Sequence, residues 1–106
     1  LPNVKPWNKH AWFFYPILAP NRDLIIDHLA SKSIDVRVAW PLPIHKQPVY
    51  QALLDESYYP VSEEIAQSVL NLPLYYEMSE QDILYVINHL KDGIEMALGE
   101  KSALAK

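Results

Sequence analysis

The chain has 106 residues, of which 50% are hydrophobic and 11% aromatic, and this composition predicts one globular domain with a single hydrophobic core. Nine basic against thirteen acidic residues give a formal net charge of −4, so the chain lacks the positive surface that binds a phosphate backbone. The absence of cysteine excludes disulfides, thiolate metal ligands and cysteine nucleophiles. No apolar run reaches the ~20 residues that span a bilayer. We therefore predict no nucleic acid partner, no membrane partner and a cytoplasmic location.

The first part of the chain predicts a strand, a helix and a second strand. Residues 10–18 are aromatic and β-branched, and Pro16 indicates an edge strand because proline donates no ladder hydrogen bond. Asn21 is a suitable N-cap for a helix over residues 21–32. Its polar face, comprising Arg22, Asp23 and Asp27, is predicted to face water. Apolar and polar residues then alternate over residues 34–39, which is the period of a strand.

The second part predicts a long ordered loop followed by two helices. Residues 41–60 are rich in proline and aromatic side chains and predict a functional loop with a helical turn at residues 49–54. An apolar stripe predicts a helix over residues 61–70, and a short extended segment follows at residues 72–74.

The last predicted helix covers residues 79–98 and begins at the cap Ser79. Its predicted core face comprises Ile83, Ile87, Leu90 and Ile94. Residues 100–106 are expected to fray. The predicted fold is therefore α/β of the α+β type: a small, mostly antiparallel sheet packed with three helices.

The histidines do not predict a metal site, because none has the i, i+4 partner or nearby carboxylate of a helical zinc site. We expect His28 to be half-buried in the core, His89 to be a solvated surface group and His10 to open a strand. His45 differs because it lies in the proline-rich loop, where a functional and a structural role are equally well supported.

Catalytic motifs are also missing from the sequence. Two glycines, both near the C-terminus, cannot build a nucleophile elbow or a phosphate-binding loop. The acidic residues at predicted helix starts, such as Glu63, are explained by the helix dipole. The lysines lie in polar or terminal surroundings, where a Schiff-base lysine is not expected. We predict no catalytic, cofactor-binding or metal-binding residue in this chain.

Several short motifs occur in a fixed order between about residues 10 and 90. They are an Arg-Asp pair opening the first helix, an aromatic-Pro-x-Pro-x-His loop, Gln-Pro, Tyr-Pro-Val before a Glu-bearing helix, Leu-Pro-Leu, and a Ser-Glu-Gln-Asp helix start. This ordered set resembles the C-terminal domain of the DegT/DnrJ/StrS family of pyridoxal-phosphate-dependent sugar aminotransferases. Ser33 stands where the family usually has Gly, which makes a tight left-handed turn less favourable. Trp40 stands where Tyr is frequent and alters the shape of the loop wall.

The resemblance implies that residues 1–106 are a single small C-terminal domain, like that of fold-type I aminotransferases, and part of a longer chain. It implies an N-terminal large domain that holds pyridoxal phosphate and the Schiff-base lysine, a sugar-nucleotide substrate and a homodimer. The reaction is transamination or, in relatives without the lysine, dehydration. By itself, this chain is predicted to be inactive.

Four loop residues are the predicted substrate contacts: Trp40, His45, Gln47 and Tyr50. A histidine can donate to a phosphate or sugar oxygen, and glutamine and tyrosine add neutral donors. Trp40 offers a flat wall, although it could equally plug the core under the loop.

A second functional class is a non-enzymatic α/β binding or dimerisation module. In that hypothesis the chain pairs with another subunit through aromatic side chains near its start, namely Trp7, Trp12, Phe13 and Phe14.

Overall fold

The computed structural model describes residues 3–51, 53 and 59–104. In this part of the chain, a two-stranded antiparallel sheet packs with four α-helices, which confirms the α+β class. The elements in chain order are β1 (Tyr15–Leu18), α1 (Arg22–Ser31), a 3-10 turn (Ile44–Lys46), α2 (Pro48–Gln51), α3 (Pro60–Ser68), β2 (Val69–Leu72) and α4 (Glu80–Leu104). The predicted turn at 49–54 corresponds in part to α2, and residues 52 and 54 of it lie outside the described residues.

The sheet is smaller than predicted. Strands β1 and β2 pair from Tyr15 opposite Leu72 to Leu18 opposite Val69. The predicted strand at residues 34–39 is wrong, because only Arg37 forms a bridge, to Asn71. Alternation of apolar and polar residues indicates that one face of a segment is buried. Here the segment buries one face without pairing along its length as a strand.

The bridge between Arg37 and Asn71 satisfies the backbone groups at the centre of β2. The Arg37 amide donates to the Asn71 carbonyl at 3.2 Å, and the Asn71 amide donates back at 2.8 Å. The Asn71 side chain also donates to the Arg37 carbonyl at 3.1 Å, so this buried polar residue is paired.

Helix α3 ends earlier than predicted, at Ser68, and the predicted extended segment begins earlier, at Val69. Residues 69 and 70 continue the helical apolar stripe, but they also alternate suitably for a strand. Pairing with β1 decides between the two, because it satisfies backbone groups and buries Leu70 completely.

The core lies where α1 packs against α4 and β2. Its buried apolar residues are Ala19, Ile25, Leu29, Ile34, Leu70, Val86 and Ala97. On α4, Leu90 and Ile94 are partly buried against this core, as predicted. The prediction that Ile83 and Ile87 face the core is wrong, because both are exposed.

The start of α4 agrees with the prediction, and its end lies beyond the predicted residue 98. The Ser79 cap is confirmed: the Asp82 amide donates to Ser79 Oγ at 3.1 Å, and Ser79 Oγ donates to Asp82 Oδ2 at 2.6 Å. The Ser79 amide also donates to Asp82 Oδ2, at 3.1 Å, and the bonds from the Ser79 hydroxyl and amide to this carboxylate lower the pKa of Asp82. The helix continues beyond the predicted end at residue 98, through Gly99 to Leu104, and residues 105 and 106 of the segment expected to fray lie outside the described residues. None of the described helices is long and apolar enough to cross a membrane.

The start of α1 also differs from the prediction. Asn21 occupies the N-cap position, but its side chain donates to the Ala97 carbonyl of α4 at 3.3 Å instead of capping α1. Arg22, predicted to face water, is largely buried and donates to the Ala66 carbonyl of α3. Both side chains therefore fasten α1 to other helices.

Candidate functional site

The proline-rich loop has a defined conformation between Trp40 and Gln47. A 3-10 turn closes it, with the Lys46 amide donating to the Pro43 carbonyl at 2.9 Å and the Gln47 amide donating to the Ile44 carbonyl at 3.1 Å. Proline fixes its own φ angle, which lowers the entropy cost of ordering this segment.

The loop is fastened to α3 by a hydrogen bond of His45 and an ion pair of Lys46, both with Glu63. His45 Nε2 lies 3.1 Å from Glu63 Oε1, and Lys46 Nζ lies 3.4 Å from the same oxygen. The His45 side chain is 8% exposed, and its ring packs against Tyr59 at a centroid distance of 4.8 Å. The hydrogen bond from His45 is the main cause that lowers the pKa of Glu63, and Lys46 adds to it against the opposing effect of burial.

The charge state of Glu63 fixes the direction of this hydrogen bond. An ionised carboxylate only accepts, so His45 Nε2 carries the proton that lies between the two side chains. The sequence explains Glu63 only by a favourable interaction with the helix dipole. Its pairing with His45 has no local signal, because His45 lies 18 residues earlier.

A groove of about 620 Å³ lies between the loop, the sheet and α3. Its size falls in the range of small-molecule sites, and its walls are mainly apolar. The apolar and aromatic lining comes from Phe14, Pro16, Trp40, Leu42, Pro43, Ile44, Ile65 and Val69. Polar groups are supplied by Gln47, Ser62 and Asn71. A mainly apolar cleft with a few polar groups has the composition of an organic-ligand site.

The structure brings two of the four predicted substrate residues together on this groove, Trp40 and Gln47. Trp40 is 72% exposed and meets Phe14 edge-on at 6.1 Å, so the hypothesis that it plugs the core is wrong. His45 faces Glu63 and Tyr59, and Tyr50 is exposed beyond the turn, with its amide donating to the Gln47 carbonyl at 2.9 Å. The substrate contacts of all four residues stay predictions.

A second cluster of titratable groups lies between α1 and α4. His89, predicted to be solvated, is half-buried and lies near His28 and Asp92. The prediction that no histidine has a nearby carboxylate is wrong, because Asp92 lies one helical turn after His89. The approach of His28 gives no local signal, because His28 and His89 are remote in the chain.

The described residues do not fit pyridoxal phosphate. Five lysine side chains whose burial the structure describes are exposed: Lys5, Lys9, Lys32, Lys46 and Lys91. Gly93 and Gly99 both lie within α4, so neither contributes to a phosphate-binding turn. A Schiff base requires a desolvated lysine, and none of these five lysines is desolvated.

Comparison with known proteins gives one consistent family. The profile of the DegT/DnrJ/EryC1/StrS aminotransferase family matches residues 1–91. The erythromycin biosynthesis sensory transduction protein EryC1 of Saccharopolyspora erythraea is 34% identical over 88% of this chain and 26% of its own length. The dTDP-3-amino-3,6-dideoxy-alpha-D-galactopyranose transaminase of Aneurinibacillus thermoaerophilus is 31% identical over 82% of this chain and 24% of its own length.

A solved structure with a similar fold supports the same family. The crystal structure of S. venezuelae DesV in complex with a ketimine intermediate superposes with a TM-score of 0.82 and 28% identity, covering 90% of this chain and 26% of that one. The chain thus spans about a quarter of the length of the relatives it matches.

Proposed function

Because the chain belongs to the DegT/DnrJ/EryC1/StrS aminotransferase family, we propose that the full-length protein is a pyridoxal-phosphate-dependent aminotransferase acting on a sugar nucleotide. In this proposal the chain is the small C-terminal domain and covers one side of the substrate cleft. An N-terminal large domain holds the cofactor, and the protein works as a cytoplasmic homodimer. Support comes from the relatives named as transaminases of dTDP-linked sugars.

The observation that carries this proposal is the groove beside the proline-rich loop. Trp40 offers an exposed aromatic face, and Gln47 lies on the same groove with an amide that can both donate and accept. Aromatic faces and neutral hydrogen-bonding groups suit a sugar or a nucleoside base, which have an apolar face and a polar edge.

In this proposal, the hydrogen bond between His45 and Glu63 holds the loop ready for substrate. The pair fixes the 3-10 turn on α3, so that Trp40 and Gln47 are positioned before substrate arrives. Preorganisation of this kind lowers the entropy cost of binding. Direct contact of His45 or Tyr50 with the substrate is a separate prediction that requires its own measurement.

The pyridoxal phosphate of the proposed enzyme supplies the electron sink for amino-group transfer. The described residues of this chain are assigned only to binding and orienting the substrate.

The test uses the full-length protein. We expect it to carry a visible cofactor absorption band that borohydride removes, and to aminate a keto-sugar nucleotide. Trp40→Ala and Gln47→Ala are expected to raise KM for the sugar nucleotide about tenfold or more, which corresponds to ~1.4 kcal/mol of binding free energy. Matched controls are Tyr76→Ala, at a fully exposed tyrosine outside the groove, and Gln81→Ala, at an exposed glutamine on α4.

His45 is tested in the same protein by combining kinetics with a thermal melt. A substrate contact predicts that His45→Ala raises KM and leaves the melting temperature unchanged. A role only in bracing the fold predicts the reverse, a lower melting temperature with an unchanged KM. The preorganising role proposed here predicts that both change.

Exposed aromatic residues near the start of the chain favour a second candidate function, a binding or dimerisation module. Trp7 is 80% and Phe13 is 82% exposed, and such side chains are typical of a surface that contacts another protein. This alternative predicts that the full-length protein has no cofactor band, while Trp7→Ala and Phe13→Ala weaken its self-association. A cofactor absorption band together with measurable transamination would support the aminotransferase and contradict the binding-module hypothesis.

A further inference from the structure

Two histidines meet where α1 packs against α4, away from the residues that line the groove. His28 lies on α1 and His89 on α4, and their ring centroids are 6.2 Å apart. Gly93, one turn beyond His89, makes room for this approach, because a Cβ atom there would lie 3.2 Å from Cδ2 of His28. The His28 ring therefore rests against the bare backbone of α4.

One ring nitrogen of each histidine is shielded from solvent without a hydrogen-bond partner among the described residues. These atoms are His28 Nε2 and His89 Nδ1. Buried polar atoms in folded proteins are almost always paired, because an unpaired one loses its hydration without compensation. Two such nitrogens in neighbouring rings therefore indicate a ligand that accepts lone pairs from both.

A carboxylate completes this cluster. Asp92 follows His89 by three residues on α4, and its Oδ2 lies 3.5 Å from His89 Nδ1. One potential ligand atom from each of the three residues lies within 4.8 Å of the other two. In a tetrahedral zinc site with bonds of ~2.0–2.2 Å, ligand atoms are about 3.4 Å apart. The pair of His89 Nδ1 and Asp92 Oδ2 already has this spacing, and the Asp92 side chain, which is 60% exposed, has room to follow an ion toward His28.

The His89 ring is already held in place by its neighbours. Tyr85 meets it edge-on at a centroid distance of 4.4 Å, and the Tyr85 hydroxyl donates to the Lys32 carbonyl at 3.2 Å. A ring with a fixed orientation loses little entropy when its nitrogen binds a metal ion.

We propose that His28, His89 and Asp92 form a binding site for a divalent transition-metal ion of the Zn²⁺ class. Two imidazole nitrogens and one carboxylate oxygen are ligands that zinc accepts, whereas Mg²⁺ and Ca²⁺ prefer oxygen alone. Water takes the fourth position. The bound ion links α1 to α4 and thereby stabilises the helix pair on which the core is built. This site does not depend on the proposed aminotransferase activity.

The test is zinc binding by the full-length protein after treatment with a chelator. Titration with Zn²⁺ alone, followed by calorimetry and by the melting temperature, is expected to give saturable binding and a rise in melting temperature that Mg²⁺ at equal concentration does not give. Co²⁺ serves as a visible probe, because a tetrahedral nitrogen and oxygen site gives it an absorption band.

Variants assign the binding to the cluster. His28→Gln and His89→Gln are expected to abolish the saturable phase, and Asp92→Asn to weaken it at least tenfold, since even second-shell partners contribute 10–100-fold to metal affinity. His10→Gln, at a histidine outside the cluster, is the matched control and should bind like the parent. Asp92→Asn keeps the test interpretable if a histidine variant misfolds, because this exposed side chain contributes little to the core.

Two outcomes overturn the proposal. One is the absence of saturable zinc binding by the folded parent protein. The other is binding that survives in Asp92→Asn and in whichever histidine variant folds, which places the ion elsewhere.

Discussion

Ser33 ends α1 in a conformation that its side chain disfavours, and glycine at this position should make the protein more stable. The residue has φ 59°, in the left-handed region. Its amide donates to the Ala30 carbonyl at 2.9 Å, and the Ile34 amide donates to the Leu29 carbonyl at 3.0 Å. These two bonds form a Schellman motif, and the accompanying apolar contact joins Ile34 to Leu29 in the core.

The expected gain follows from two opposing effects. A residue with a Cβ atom pays ~1–2 kcal/mol for the left-handed conformation, which glycine avoids. Glycine also gives the unfolded chain more freedom, which costs ~0.4–1 kcal/mol. The Ser33 side chain is exposed, so its removal leaves no cavity. We therefore expect Ser33→Gly to raise the free energy of unfolding by about 0.5–1 kcal/mol.

Urea denaturation of the parent and variant proteins measures this change as a shift of the midpoint at constant slope. Ala30→Gly is the matched control, because it places glycine at an exposed position inside α1, where it should destabilise by ~1 kcal/mol. The two substitutions differ in sign only if residue 33 is left-handed. A Ser33→Gly variant less stable than the parent would therefore refute the left-handed conformation.

Two further predictions concern acid stability and the core. Because its pKa lies below the ordinary value of 4.5, Glu63 contributes stability that is fully present above pH 4.5 and is lost as the pH falls through its folded pKa. Denaturation at neutral and acidic pH should find Glu63→Gln less stable than the parent at pH 7 and equal to it at the acidic end, whereas Glu64→Gln, at the adjacent exposed position, should differ little at either pH. In the core, Ile25→Ala is expected to cost about 2–5 kcal/mol in urea denaturation, because Ile25 is fully buried, while Ile83→Ala on the exposed face of α4 should cost less than about 1 kcal/mol. Equal losses at these two isoleucines would contradict the observed orientation of α4.

The sequence predicted elements well where local signals agree. The Ser79 cap and the following stripe located the start of α4 correctly, because the cap and the helical period depend on residues a few positions apart. Predictions from local signals were wrong where contacts between distant residues determine the structure. Val69 and Leu70 match a helix and a strand equally, and only the pairing with β1 makes them a strand. Tertiary contacts also bury Arg22, which the helical pattern placed in solvent.

The same distinction applies to the candidate site. The proline-rich loop was identified from composition, but the partner of His45 was not, because Glu63 lies on a different element. The cluster of His28, His89 and Asp92 likewise depends on how α1 crosses α4. Within α4, the i, i+3 spacing of His89 and Asp92 was the one local signal of that cluster.

The surface around the loop exposes large apolar side chains on a backbone of fixed conformation. Trp40 and Ile44 are 72% and 65% exposed, although the loop that carries them is fixed by its own hydrogen bonds and by the ion pair to Glu63. A loop that needed only to be stable would bury these side chains, since large exposed apolar residues contribute nothing to the core. The loop is fixed instead by the contact of His45 with Glu63 on α3, and the apolar faces of Trp40 and Ile44 stay exposed to solvent. In the proposed enzyme this separation allows substrate binding to be altered at Trp40 without a loss of loop stability, whereas a change at Glu63 affects both, because the loop positions Trp40. Trp40→Ala should therefore change KM and leave the melting temperature unchanged, and a fall in melting temperature as large as that of Glu63→Gln would contradict the separation.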